Sequence, residues 1–156
     1  MAHVRHGQRN AIVMSQHPDT RAPAIADDLL SWNAGGLRLV ASREHATGRT
    51  VFPARSGDDD RFDRVLLGTH GTLWSWTIQR FRPKSPPYAG PEAFEPYAVG
   101  YVELPGELVI EARLTGVPFD DLRIGMALRL VPLAFTLASG DERTTFAFAP
   151  ISGGDA

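Results

Sequence analysis

The nearest approach to a nucleophile and a base in this 156-residue sequence is Ser75, with His70 five positions before it. No Gly-x-Ser-x-Gly turn surrounds Ser75, and a histidine so near on the same strand region makes no triad. Ser75 therefore reads as a small residue on a strand face, and His70, between Thr69 and Gly71, as a bend residue. The sequence has no cysteine, which removes a thiol nucleophile, a disulfide and any cysteine-based zinc site. Glu44, His45 and Asp58 to Asp60 are rich in oxygen ligands, but their spacing fits no metal loop and reads as a solvated acidic turn. No constellation of acid, base and nucleophile emerges, so the chemistry on offer is binding.

The residues that could bind cluster around "RPKSPPYAGPEAFEP", residues 82–96. A loop this long inside a compact domain is functional or mobile. Trp74, Trp76, Phe81, Tyr88, Phe94 and Tyr97 border it. Trp76 is expected in the core. Tyr88 and Phe94 sit among prolines and glycines, where core burial is hard to arrange, and so suit a ligand groove or a protein interface. Arg80, Arg82 and Lys84 stand at the mouth of the loop. They either offer guanidinium forks and a point charge to phosphate oxygens or merely solubilise a strand end.

The elements that must position these residues are strands. Hydrophobic residues make up 43% of the chain and charged ones 22%, an ordinary globular balance long enough to bury a core. The formal charge of −2 is not the footprint of a general nucleic-acid binder. No run approaches the ~18 apolar residues of a membrane span, and the N-terminus lacks the apolar stretch of a secretory signal, so the expected location is cytoplasmic. Residues 1–18 read as a flexible extension, with Met14 a second candidate start. "DTRAPAIADDLLSWNAGG" then reads as a short helix capped by Asp19 or Thr20 and ended by Gly35, with Trp32 on its apolar stripe. "LRLVAS" and "RTVFPA" make a small hairpin-like unit, and "SGDDDRFD" an acidic linker.

From Val65 the texture is all-β. "VLLGTHGTLWSWTIQRF" is a strand region broken by Gly68 and Gly71, where a bulge or bend is expected. "YAVGYVEL" and "ELVIEARL" pair across Pro105-Gly106, and "ALRLVPLAFTLAS" and "RTTFAFAP" close the set, with Pro132 pointing to an edge or a bulge. In the second hairpin strand Leu108, Ile110, Ala112 and Leu114 face one way and Glu107, Val109, Glu111 and Arg113 the other. "YAVGYVEL" is apolar on both faces, so something must cover its outside: the helix, the loop or a second protein. Five strands with glycine kinks predict a small closed barrel of the OB-fold type over residues 63–151, preceded over 19–62 by the helix and hairpin.

Four blocks, "GTLWSWTI", "PYAVGYVELPGEL", "LRIGMALRL" and "TFAFAP", in this order, resemble the acyl-CoA-associated OB-fold family, strongly over residues 65–150 and weakly over 25–60. Members of that family usually carry an N-terminal zinc ribbon. "EHATGRTVFPARSGDDD" keeps its frame at Gly48 and Phe52-Pro53, but Glu44 and Thr47 stand where the first cysteine pair belongs, and the second pair falls near Gly57 and Asp60. The resemblance thus implies a degenerate, metal-free ribbon. It implies further a non-catalytic accessory subunit beside a thiolase or thiolase-like aldolase or acyltransferase, or beside a hotdog-type enoyl-CoA hydratase. A coenzyme A thioester would be the shared substrate, with no tightly bound cofactor. Arg80, Arg82 and Lys84 would then face the phosphates, and Tyr88, Phe94 and Tyr97 the pantetheine or acyl arm or the partner. The reading from another class is an OB barrel for single-stranded nucleic acid, which the acids at Asp58 to Asp60, Glu103, Glu107 and Glu111 disfavour.

Overall fold

A computed structural model describes residues 21–152. Among these residues nine strands form two units. Strands β1 (Leu30–Asn33), β2 (Gly36–Glu44), β3 (Thr50–Val51) and β4 (Phe62–Leu66) make an antiparallel sheet around β2, which pairs with each of the other three. Strands β5 (His70–Gln79), β6 (Tyr97–Leu104), β7 (Leu108–Leu114), β8 (Ala127–Thr136) and β9 (Glu142–Pro150) close into a barrel in the order β5-β6-β7-β9-β8. All its ladders are antiparallel except β7 with β9. A five-stranded closed barrel with this crossover is the OB-fold the sequence predicts. Among the described residues no helix is long and apolar enough to cross a membrane.

The expected helix starts outside the described residues, and from Arg21 onward the segment is not helical. Ala24 bridges Thr144 of β9, the Thr144 amide donates to the Pro23 carbonyl, and Leu30–Asn33 is a strand on β2. Proline in the first turn and a capping residue satisfy local helix rules. The backbone groups nevertheless find their partners in neighbouring strands, which local rules cannot see. Trp32 lies on β1 with the Arg21 guanidinium 3.9 Å from its ring centre.

Alternation builds the barrel core. Ala98, Val102 and Leu104 of β6 and Ile110, Ala112 and Leu114 of β7 point inward and are buried, joined by Leu73, Leu128, Leu130 and Phe148. Each fully buried Val, Leu, Ile or Phe side chain contributes roughly 1.5–3 kcal/mol relative to exposure. The same cluster takes in Leu37, Leu39 and Ala41 of β2 and Leu67, so the two sheets share one core. Phe52 seals the junction edge-to-face on Phe146 of β9, ring centres 5.8 Å apart.

Strand β5 is bulged: Leu73 pairs with Val102 and Ser75 with Tyr101, so Trp74 is the extra residue. The bulge bends β5 away from β8, with which it pairs only over His70–Thr72. Gly71 makes the tight crossing possible, since a β-carbon there would lie 2.7 Å from the Glu103 carbonyl oxygen. Pro132 lies beyond the stretch of β8 that pairs with β5, on a strand that otherwise runs in continuous register with β9. Its missing N–H falls at an edge, as the sequence predicts.

Candidate functional site

The loop between β5 and β6 folds back over the end of β8. Arg82 donates through Nε to the Pro91 carbonyl (3.0 Å) and through a terminal nitrogen to that of Gly90 (3.3 Å), and its guanidinium lies 5.3 Å from the Tyr88 ring centre. Tyr88 meets Phe135 of β8 edge-to-face, ring centres 6.2 Å apart. The Ala138 amide of the β8–β9 turn donates to the Ala89 carbonyl. Arg113 of β7 lies 5.6 Å from Phe135 and 3.7 Å from Tyr97, and Tyr97 meets Phe94 at 5.8 Å. The result is one ladder, Arg82–Tyr88–Phe135–Arg113–Tyr97–Phe94, along the outer face of the barrel.

The ladder brings together four residues that the sequence singles out: Arg82, Tyr88, Phe94 and Tyr97. Its two other rungs, Phe135 and Arg113, were missed by sequence reasoning. Arg113 carries a faint signal, as a cation on the outward face of an alternating strand. Phe135 carries none, because only the barrel closure places it under the loop. Arg82 uses its guanidinium inside the protein, clamping the loop to its own carbonyls. Arg80 and Lys84 are exposed at the loop mouth.

Beside the ladder, the outer face of β5, β6 and β7 carries two adjoining hollows. One, of about 310 Å3, is lined by Ser75, Trp76, Gln79, Pro83, Tyr101 and Glu111 together with Tyr97 and Val99. The other, of about 240 Å3, shares Tyr97, Val99 and Glu111 and adds Ile25, Arg113, Phe135 and Phe146. Tyr101 is 49% exposed and Trp76, expected in the core, is 38% exposed. The outside of "YAVGYVEL" is thus left half open by the described residues. A shallow groove lined by both apolar side chains and amide, hydroxyl and carboxylate groups can hold an extended amphipathic arm or a partner's side chains.

Ser75 and His70 do not meet as a catalytic pair. Ser75 faces solvent opposite Tyr101, and His70 Nδ1 is 3.0 Å from the Thr69 hydroxyl.

The N-terminal sheet holds the positions aligned with zinc cysteines. Thr47 Oγ1 donates to Glu44 Oε2 at 2.6 Å and accepts the Arg49 amide, closing the β2–β3 turn with its own side chains. His45 Nε2 pairs with Asp63 at 2.9 Å, and Asp59 takes both Nε and a terminal nitrogen of Arg61. Asp63 holds the His45 pKa above its ordinary value, and Arg61 holds Asp59 down to about 2. These groups are engaged in pairs in and between the loops at this end of the sheet, and among the described residues no group of three or more His, Asp or Glu could hold a metal ion. The residues present do not fit a ribbon zinc.

A closed five-stranded barrel with this strand order defines an OB-fold domain, and here its loops gather an aromatic ladder beside an open groove. Residues 64–132 match the family model described as ChsH2, C-terminal OB-fold domain. Within the barrel this stretch is similar to that OB-fold family, which the four sequence blocks also resemble. A chain of the solved structure titled "Ltp2-ChsH2(DUF35) aldolase" is similar to it at 26% identity and a TM-score of 0.54, over 72% of this chain and 84% of the other. No curated protein sequence matches the chain.

Proposed function

We propose that this protein is a non-catalytic accessory subunit of an acyl-CoA-processing complex. Its partner would be a thiolase or thiolase-like aldolase that carries the reacting groups. The observation that carries the reading is the likeness to a chain from a solved aldolase assembly, at 26% identity and over most of both chains. Two local features support it. The groove beside Tyr97 and Tyr101 is apolar enough for a pantetheine arm or an acyl chain. Arg80 and Lys84 stand exposed at its loop end, where the phosphates of coenzyme A would be met by cations. Glu103 and Glu111 on the same face oppose a run of nucleic-acid phosphates, which disfavours single-stranded nucleic acid.

The test has two parts. Purified alone, the chain should release no thiol from acetyl-CoA or acetoacetyl-CoA. Because it has no cysteine, released coenzyme A is read by a thiol reagent without protein background. Mixed with a thiolase-type subunit from the same genome, it should co-elute on size exclusion. Turnover of either thioester by the chain alone would overturn the reading, and so would separate elution from every such subunit.

A further inference from the structure

Past the bulge at Trp74, one side of β5 has no neighbouring strand among the described residues. Leu73 still bonds both ways with the segment before β8: its amide donates to the Met126 carbonyl, and its carbonyl accepts the Gly125 amide. Beyond it, Ser75 to Gln79 pair only with β6. Alternate backbone N–H and C=O groups of this five-residue stretch therefore point outward with no strand to receive them among the described residues. Trp74 is 59% exposed, and Trp76, Phe81 and Ile124 are exposed around the same edge.

The barrel has a second open edge, and the contrast between the two is informative. Beyond Leu130, β8 also loses β5 as a neighbour, but there Pro132 removes a donor, and the loop covers the strand through Tyr88 on Phe135 and Ala89 on Ala138. Proteins blunt exposed edges with proline, charge or cover. The β5 edge, Ser-Trp-Thr-Ile-Gln, has no proline and no charge, and large apolar side chains flank it. Its open backbone valences call for another strand.

We infer that the second strand is β5 of another copy of this chain, paired antiparallel across a two-fold axis at Thr77. The edge is complementary to itself in that register. Ser75 meets Gln79 of the second copy, polar to polar, and Trp76 meets Ile78, apolar to apolar. Trp74 meets Arg80, which places a guanidinium beside an indole rather than beside another cation. A two-fold interface requires this kind of self-match. The edge is short, so the dimer dissociates with a constant on the order of micromolar to tens of micromolar.

The experiment is sedimentation velocity of the chain alone, from about 1 to about 200 µM, bracketing that range. A concentration-dependent dimer is expected. On the axis Thr77 meets itself, so Thr77→Glu and Thr77→Lys each put like charges face to face and should weaken the dimer ~fivefold or more. An equimolar mixture of the two should recover a dimer at least as tight as the original. Circular dichroism shows whether each variant is folded, and recovery on mixing separates lost pairing from lost folding. A chain that stays monomeric throughout overturns the inference, also when the edge is filled by another protein. So do variants that dimerise unchanged, or a mixture that stays monomeric. None of these outcomes touches the proposed accessory role, because neither thioester nor catalytic subunit is present.

Discussion

The guanidinium carbon of Arg113 lies 3.7 Å from the centre of the Tyr97 ring, joining the end of β7 to the start of β6 across the barrel's outer face. Both residues are half-buried, so the contact is only partly screened by water. A cation over a ring in this setting contributes ~0.5–1 kcal/mol. Urea denaturation of Arg113→Ala, Tyr97→Leu and the double variant should return a coupling of that size. A coupling near zero would mean the ladder is only a set of neighbours.

Arg82 and its neighbours Arg80 and Lys84 should behave differently. Arg82→Ala removes two charge-assisted hydrogen bonds to loop carbonyls. The expected cost is about 1–2 kcal/mol of stability, with faster proteolysis within residues 82–96. Arg80→Ala and Lys84→Ala remove exposed charges and should leave the melting temperature nearly unchanged. Under the proposed function they weaken coenzyme A binding, less so at high salt, as calorimetric titration of the assembled complex would show.

Gly71→Ala is expected to destabilise by about 2–3 kcal/mol in chemical denaturation. The new β-carbon would lie 2.6 Å from a Val102 methyl and 2.7 Å from the Glu103 carbonyl oxygen, and backbone cannot step aside as a side-chain tip can. Gly100→Ala meets the Leu73 and Leu114 side chains at 2.7 and 3.0 Å and the Ser75 carbonyl oxygen at 3.0 Å, and should cost less.

His45 titrates with a pKa raised first by its hydrogen bond to Asp63 and then by that carboxylate's charge. A raised folded-state value means the pair's stabilisation is fully present below the ordinary histidine value of about 6.5. It fades as pH rises through the raised value. Nuclear magnetic resonance should place the His45 midpoint above the ordinary value, and Asp63→Asn should bring it down. The pair is mostly exposed, so the effect on overall stability is small.

Zinc should be absent at stoichiometric level from purified protein, and a chelator should leave its thermal unfolding unchanged. Thr47 is held by Glu44 in the β2–β3 turn, and Asp59, beside Asp60, is held by Arg61 in the β3–β4 connection, so hydrogen bonds tie both loops where a ribbon would use metal. Elemental analysis giving about one zinc per chain would contradict this.

By itself the sequence determined the strands of the barrel and the order of its blocks. Alternation has a period of two and is written locally, so β6, spanning Tyr97–Leu104, coincides with "YAVGYVEL", and the inward set Ile110, Ala112 and Leu114 is readable from spacing alone. Ordered blocks around glycine and proline carried the family likeness for the same local reason. Tertiary structure decided which groups are free. Trp76 reads as core until the Trp74 bulge turns β5 away from β8, and only the folded loop turns Arg82 onto the Pro91 and Gly90 carbonyls. The segment after Arg21 reads as helix until Thr144 and β2 claim its backbone. Phe135 and Arg113 become one site with Tyr97 only when the barrel closes. Burial and pairing depend on what lies across the sheet, and residues that meet there are separated along the chain by distances no local pattern spans.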